Sequence, residues 1–243
     1  MKRREFIIGF IVALASLLPV FAYLLKGDTR KSTNAEPSPQ TGEVKVKLPE
    51  PRLQSEFSIE EALNKRRSIR DYKDEAITLQ ELSQLLWSAQ GITGPWGFRT
   101  APSAGGTYPL VVYVVVGDVE GLEEGIFRHS PKEHEIVKVV EGDHRAELAK
   151  ASLNQEWVEE GAIDIVIAAD YEKTTKRYGE RGRRYVQMEV GHAAQNLYLQ
   201  AEALKLGMVV VGAFYDDQVA DLLNLPKQED PLYVIPVGRN IGA

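Results

Sequence analysis

Three guanidiniums and a hydroxyl lie within the run Arg66-Arg67-Ser68-Ile69-Arg70, a density of donors suited to a phosphate and to the polar edge of a cofactor. Taken alone, the run reads as a solvated helix end, because charge clusters usually face water. A second stretch shifts that balance. Arg99-Thr100-Ala101-Pro102-Ser103-Ala104-Gly105-Gly106-Thr107-Tyr108-Pro109 joins small residues to proline-fixed backbone, so amides there could approach a flat ring closely. Its bland counterpart is a tight connecting turn. Gly238-Arg239-Asn240 places another cation where the chain leaves its last expected strand, although C-terminal arginines are often merely solubilising. The 243 residues include no cysteine, which excludes disulfides, Cys-ligated zinc, iron–sulfur clusters and thiolate nucleophiles. Redox chemistry must therefore come from a bound cofactor.

Other candidate groups carry less. Glu189-Val190-Gly191-His192 has the Glu-x-x-His spacing of helical di-iron ligands, but no second copy or further carboxylates accompany it, so no metal is expected. His129, His134 and His144 fall in expected hairpin or turn positions and are read as solvent-facing. Trp96, Tyr178 and Arg181 suit a pocket for planar electron-poor molecules, with structural packing at least as good a reading, and no residue is assigned as catalytic. The formal net charge of -6 argues against a nucleic-acid partner, whose phosphates demand clustered Lys and Arg.

The elements that must position these residues are legible from caps and periodicity. Ser58-Ile59-Glu60-Glu61 is a capping-box pattern opening a helix that ends near Arg66 and Arg67. Thr78-Leu79-Gln80-Glu81 repeats it, with Leu79, Leu82, Leu85, Leu86 and Ala89 at helical spacing and Gly91 as the stop. Residues 110–116 and 163–169 are continuous apolar runs that read as buried strands. Residues 125–128 and 135–140 flank Ser130-Pro131-Lys132 as a peripheral hairpin. A short helix is expected over 146–153. A long one is expected over 186–204, with Val190, Ala193, Ala194, Leu197, Tyr198 and Ala201 as its apolar stripe and Gly207 beyond its end. Residues 208–214 and 232–237 complete four central strands, and a short helix between them starts with Asp216 as its cap. No GxGxxG opens a strand-turn-helix unit, so a Rossmann site lacks support. The pattern favours layers of sheet and helix, and the hydrophobic content of 44% suffices for one core.

The first 26 residues read as an address. Lys2, Arg3 and Arg4 precede an uncharged apolar run over residues 6–25, long enough at helical rise to cross a bilayer. Arg3-Arg4-Glu5-Phe6-Ile7 also resembles a twin-arginine export signal. The expectation is a membrane-anchored or exported protein whose catalytic domain is extracytoplasmic, touching membrane through this segment only. Residues 27–54, with Pro37, Pro39, Pro49 and Pro51 among polar residues, read as a flexible tether. Residues 55–243 form the globular part.

That globular part resembles the nitroreductase superfamily in its SagB-type (thiazoline/oxazoline) dehydrogenase branch. The likeness rests on Arg66 to Tyr72 as Arg-Arg-Ser-Ile-Arg-Asp-Tyr, on Pro102-Ser103-Ala104-Gly105-Gly106-Thr107-Tyr108-Pro109 and on Tyr178-Gly179-Glu180-Arg181-Gly182. It continues through Gly191-His192-Ala193-Ala194-Gln195-Asn196-Leu197, Val211-Gly212-Ala213-Phe214 and Tyr233-Val234-Ile235-Pro236-Val237-Gly238-Arg239. The motifs keep one order over roughly residues 58–240. The resemblance implies an α+β, FMN-dependent nitroreductase-like fold, with a central, mainly antiparallel sheet flanked by helices, and a homodimer with FMN at its interface. It implies that Arg66, Arg67, Ser68 and Arg70 hold the phosphate, ribityl chain and pyrimidine edge, with Arg239 joining Arg66 at the phosphate. Pro102, Ser103, Ala104 and Gly105 would reach the flavin of the partner subunit, and Val211, Gly212 and Ala213 would lie by the ring near N5. The implied activity is hydride transfer between flavin and a small or peptide substrate, with a nicotinamide as one candidate donor. The alternatives are azoline oxidation in peptides and a tethered binding module without turnover. The chain stops at Ala243, so no swapped C-terminal arm is expected and a dimer would use other surfaces, such as the long helix.

Overall fold

The computed structural model describes residues 44–242. Seven strands form one path in the order β1-β7-β6-β4-β8-β10-β2, with β9 pairing β10 beside it, and every pairing is antiparallel. The strands are β1 (Lys45–Lys47), β2 (Tyr72–Lys73), β4 (Leu110–Val116), β6 (Gly125–Ser130), β7 (Glu135–Glu141), β8 (Ile163–Asp170), β9 (Leu206–Met208) and β10 (Glu229–Asn240). Two further strands, β3 (Ile77–Thr78) and β5 (Val119–Glu120), make a small parallel pair. The helices are α1 (Ile59–Lys65), α2 (Leu79–Gln90), α3 (Arg145–Ala151), α4 (Glu156–Glu160), α5 (Glu172–Tyr178), α6 (Arg181–Ala203) and α7 (Asp216–Leu222).

Strand side chains alternate between faces, and the unbroken apolar runs of β4 and β8 are explained by burial on both. Leu110, Val112, Val114 and Val116 face α2 and α6, packing with Leu82, Leu85, Val190, Ala193 and Leu197. Val111, Tyr113 and Val115 face the opposite layer, where Leu148 of α3, Val158 of α4 and Val219 of α7 cover them. The result is helices on both faces of an antiparallel sheet, the expected fold class.

The N-caps expected at Ser58 and Thr78 form. Ser58 accepts from the Glu61 amide at 3.0 Å. Thr78 and Glu81 make a full reciprocal capping box. Gly91 does end α2, but for a reason of space. Its φ of -60° suits any residue, whereas an added Cβ would lie 2.2 Å from the Trp87 ring.

Several expectations shift. The segment over 44–54, placed in the tether on composition, enters the fold: β1 pairs with β7, Leu48 is buried, and the Arg52 backbone exchanges two hydrogen bonds with Gln84. A three-residue strand among prolines has no period to betray it. Helix α6 starts at Arg181, five residues early, because Arg183 and Arg184 interrupt the apolar pattern while Gly182 packs against Thr175 of α5. The strand expected over 208–214 shrinks to β9, after which only Val211 bridges to Val234. In α7, Asp216 is the first helical residue and Tyr215 the cap.

The membrane and signal assignments are corrected. Among the described residues no helix is long and apolar enough to cross a membrane. The address segment, residues 1–26, lies outside the described residues.

Candidate functional site

Helix α1 ends because Arg66 leaves helical geometry, with φ -47° and ψ 123°. The extended stretch that follows presents Arg66, Arg67, Ser68 and Arg70 at the surface, with Arg67, Ser68 and Arg70 exposed and Arg66 half-buried. The Ile69 amide donates to the Met208 carbonyl at 2.9 Å, so the stretch is pinned beside the end of β9. Tyr198 of α6 completes the link. Its hydroxyl lies 3.0 Å from Ser68 Oγ and accepts the Val210 amide at 3.1 Å, while the Arg66 guanidinium sits over its ring at 5.0 Å. One phenol thereby joins the arginine motif to the segment carrying Val211, Gly212 and Ala213. Val211 is buried, and Gly212 and Ala213 are exposed.

Electrostatically the cluster is unbalanced. Arg66, Arg67 and Arg70 form no ion pair with any carboxylate among the described residues. Arg67 Nη1 turns back to the Asn64 and Arg66 carbonyls, and Arg70 lies 5.4 Å from the Trp157 ring centroid. Three cations without counter-charge, next to two small exposed residues, fit a phosphate-bearing planar cofactor.

Arg239 is placed elsewhere. Its Nη1 and Nη2 donate to the two Glu81 oxygens at 2.6 and 2.9 Å, and its Nε donates to the Ala76 carbonyl at 3.0 Å. No contact joins it to Arg66. Burial opposes the Glu81 charge, but Arg239 and the Thr78 amide and hydroxyl outweigh that effect and hold the carboxyl below the usual carboxylate range. Arg239 thus clamps the N-terminus of α2 through Glu81.

The loop with Pro102, Ser103, Ala104 and Gly105 forms a separate cluster. A single 3-10 turn covers Ala104–Gly106, with Gly105 at φ +62°. Ser103 Oγ accepts the Tyr108 amide at 2.9 Å, and Arg177 Nη1 donates to the Gly105 carbonyl at 2.9 Å. Beneath it lies Glu189 of α6, 2% exposed. Its carboxyl is pushed up to about 7 by burial, against the opposing pull of Ser103, Arg99 and the Ala104 amide. Those neighbours do not amount to well-formed hydrogen bonds, since both Glu189 oxygens lack a partner of proper geometry. No hydrogen bond, ion pair or ring contact joins this loop to the arginine cluster of the same chain.

Sequence reasoning missed Tyr198 as a connector, because its place in the apolar stripe of α6 reads as core. It also placed His129 in solvent, whereas the ring is 3% exposed. His129 is corrected to a buried side chain, since β6 turns it inward beside Val112. Glu189 and His192 do not act together: the first is buried and the second exposed. Trp96 is 83% exposed.

This arrangement matches a known pattern over most of the chain. The Nitroreductase family profile matches residues 63–239. The chain belongs to that family. It is 50% identical over 186 residues to the nitroreductase candidate MJ1384 of Methanocaldococcus jannaschii, spanning 76% of this chain and 93% of that protein. It is 31% identical over 112 residues to the NADPH-flavin oxidoreductase of Vibrio harveyi, spanning 43% of this chain and 47% of that one. A crystal structure of a nitroreductase candidate from Ralstonia eutropha JMP134 superposes with a TM-score of 0.71 at 28% identity, covering 81% of this chain and 89% of that chain.

Proposed function

We propose that this family member is an FMN-dependent oxidoreductase that transfers hydride between flavin and a small or peptide substrate, with a nicotinamide as donor. The observation that carries the reading is the set of three unpaired guanidiniums beside Ser68, tied through Tyr198 to the exposed Gly212 and Ala213. Membership of a family with a flavin oxidoreductase among its relatives supports the same conclusion.

In this reading Arg66, Arg67 and Arg70 bind the phosphate and polar edge, where fixed guanidinium forks match oxyanion geometry. Ser68, held by Tyr198, orients its hydroxyl toward the same ligand. The backbone of Val211, Gly212 and Ala213 lines the ring without side-chain bulk. Hydride transfer depends on positioning and on exclusion of water, so no dedicated acid or base among these residues is required. FMN, when bound, supplies the hydride-accepting and hydride-donating centre.

A homodimer fits two features. The loop over 102–105 and the arginine cluster are separate within one chain, so a second copy can bring a loop to each cluster. The outer face of α6 exposes Met188 at 47%, and nothing lies within 4 Å of a Cβ built on Gly191, which permits close helix approach.

The test is a visible spectrum of the purified full chain after incubation with FMN, followed by anaerobic addition of NADPH and then of a quinone or nitroaromatic. Retained yellow colour, bleaching by NADPH and recovery with the acceptor are expected. Bleaching absent but an azoline peptide oxidised in air would assign the azoline reaction instead. Protein that takes up no FMN would overturn the reading and favour a binding module.

A further inference from the structure

A second polar site lies away from the arginine cluster, under the start of β4. A cavity of about 120 Å³ is lined by Gln90, Arg99, Val112, His129, Ser130 and Lys173, among others. That volume is room for more than one water. None of the residues assigned to the flavin lines it.

The polar atoms around it are unmatched in one direction. Gln90 is 0% exposed, and its carbonyl oxygen is committed to Arg99 Nη1 at 2.6 Å. Its amide nitrogen, with two N–H groups, has no partner. His129 is buried beside it with both ring nitrogens unpartnered. Burial first, then His134 and Arg99, push its pKa down to about 3, so the ring is neutral and offers one N–H donor. Arg99 is part-buried and makes no contact ion pair among the described residues, the buried Glu189 carboxyl acting on it only through space. Its guanidinium lies over the Tyr108 ring at 4.8 Å. Arg128 also borders the cavity, but its guanidinium is spent on Glu229 at 3.1 Å. The remaining cation, Lys173, is exposed near the cavity.

Buried donors and buried cations are ordinarily satisfied. Water could meet the orphaned N–H groups of Gln90 and His129, but it brings no charge, and the one carboxyl that answers Arg99 through space, Glu189, leaves Lys173 unbalanced. The supply is donor-rich and net positive, and the space is small. From these residues we infer that the cavity between Gln90, Arg99 and His129 is a binding site for a small oxyanion of nitrate or carboxylate size. The anion would accept from the Gln90 amide, the His129 ring and the free edge of Arg99. Because Arg99 leads directly into Thr100, Ala101 and Pro102, an occupied site would also brace the loop that carries Ser103. This inference stands independently of the flavin reading, since it uses none of those residues.

The test is calorimetric titration of the full chain with sodium nitrate and, separately, sodium acetate, in chloride buffer of matched ionic strength. Saturable one-site binding of at least one of them is expected, and comparison of the two arms tells nitrate-type from carboxylate ligands. Gln90→Leu removes the unpartnered donor and should weaken binding by roughly tenfold or more, the worth of one hydrogen bond to a charge. Should that variant not fold, a crystal structure of the unaltered chain grown in the binding salt decides the matter: a planar anion beside Gln90 and His129 supports the site. Ordered water alone in the cavity, absence of saturable binding by either salt, or equal affinity in a folded Gln90→Leu would each overturn the inference.

Discussion

Replacing Glu81 by Gln should destabilise the protein by about 2 kcal/mol, because it keeps the N3 side chain of the capping box but removes the charge that Arg239 grips. The pair is a two-bond fork at 2.6 and 2.9 Å, with side-chain exposures of 23% for Arg239 and 15% for Glu81. Charge-assisted bonds contribute roughly 1.5–3 kcal/mol each when well shielded, and this partial exposure favours the low end. Glu81→Ala also removes the cap reciprocal to Thr78 and should cost about 1 kcal/mol more. For a chain of this size each kcal/mol lowers Tm by roughly 2–4 °C, so Glu81→Gln should melt about 4–8 °C early by calorimetry. Arg239→Met should cost a similar amount, and the double variant little more than either, since both singles break the same contact. The pH dependence has a definite sign. The Glu81 carboxyl is held below its unfolded value, so its contribution is present above the ordinary carboxylate range and is lost as pH falls through the folded value. Additive single-variant losses, with coupling below about 0.5 kcal/mol, would refute the clamp.

Asp164 is fully buried in β8 with neither oxygen partnered, and burial, opposed by Arg145, raises its pKa well above the carboxylate range. The native state therefore retains a proton that the unfolded chain has released above about pH 4, and stability falls as pH rises from there. Asp164→Asn should remove that slope and stabilise the protein at neutral pH; urea midpoints at acid and neutral pH that keep the original slope would contradict this. Gly105→Ala should lower Tm by a few degrees, because the residue sits at φ +62° and a Cβ would lie 2.4 Å from Tyr178 Oη. Left-handed strain alone costs roughly 1–2 kcal/mol, and an unchanged melting curve would show that the turn relaxes freely.

What the sequence showed follows from distance along the chain. The caps at Ser58 and Thr78 were legible because each is made by residues three positions apart, and the runs in β4 and β8 because burial on both faces leaves no polar position to hide. The partner of Arg239 was not legible because it lies 158 residues away, and nothing near Gly238 signals which carboxylate it will meet. Asp164 was likewise invisible as a buried acid inside an otherwise apolar run. His129 was read as solvent-facing because hairpins are usually peripheral, yet β6 is an interior strand between β4 and β7. Strand β1 escaped because its order derives from β7 rather than from its own three residues. The arginine motif itself was legible; the phenol of Tyr198 that connects it to Val210 depends on the packing of α6.

In the proposed function, unpaired guanidiniums at the end of α1 bind the phosphate of FMN. Titration of FMN into the full chain and into Arg66→Met, followed by flavin fluorescence, reads that contact. Loss of one charge-assisted phosphate contact should weaken affinity by roughly tenfold to a hundredfold, with Arg66→Lys recovering part of it because the charge returns without the fork. Equal FMN affinity in the folded Arg66→Met variant would rule out a phosphate site at Arg66.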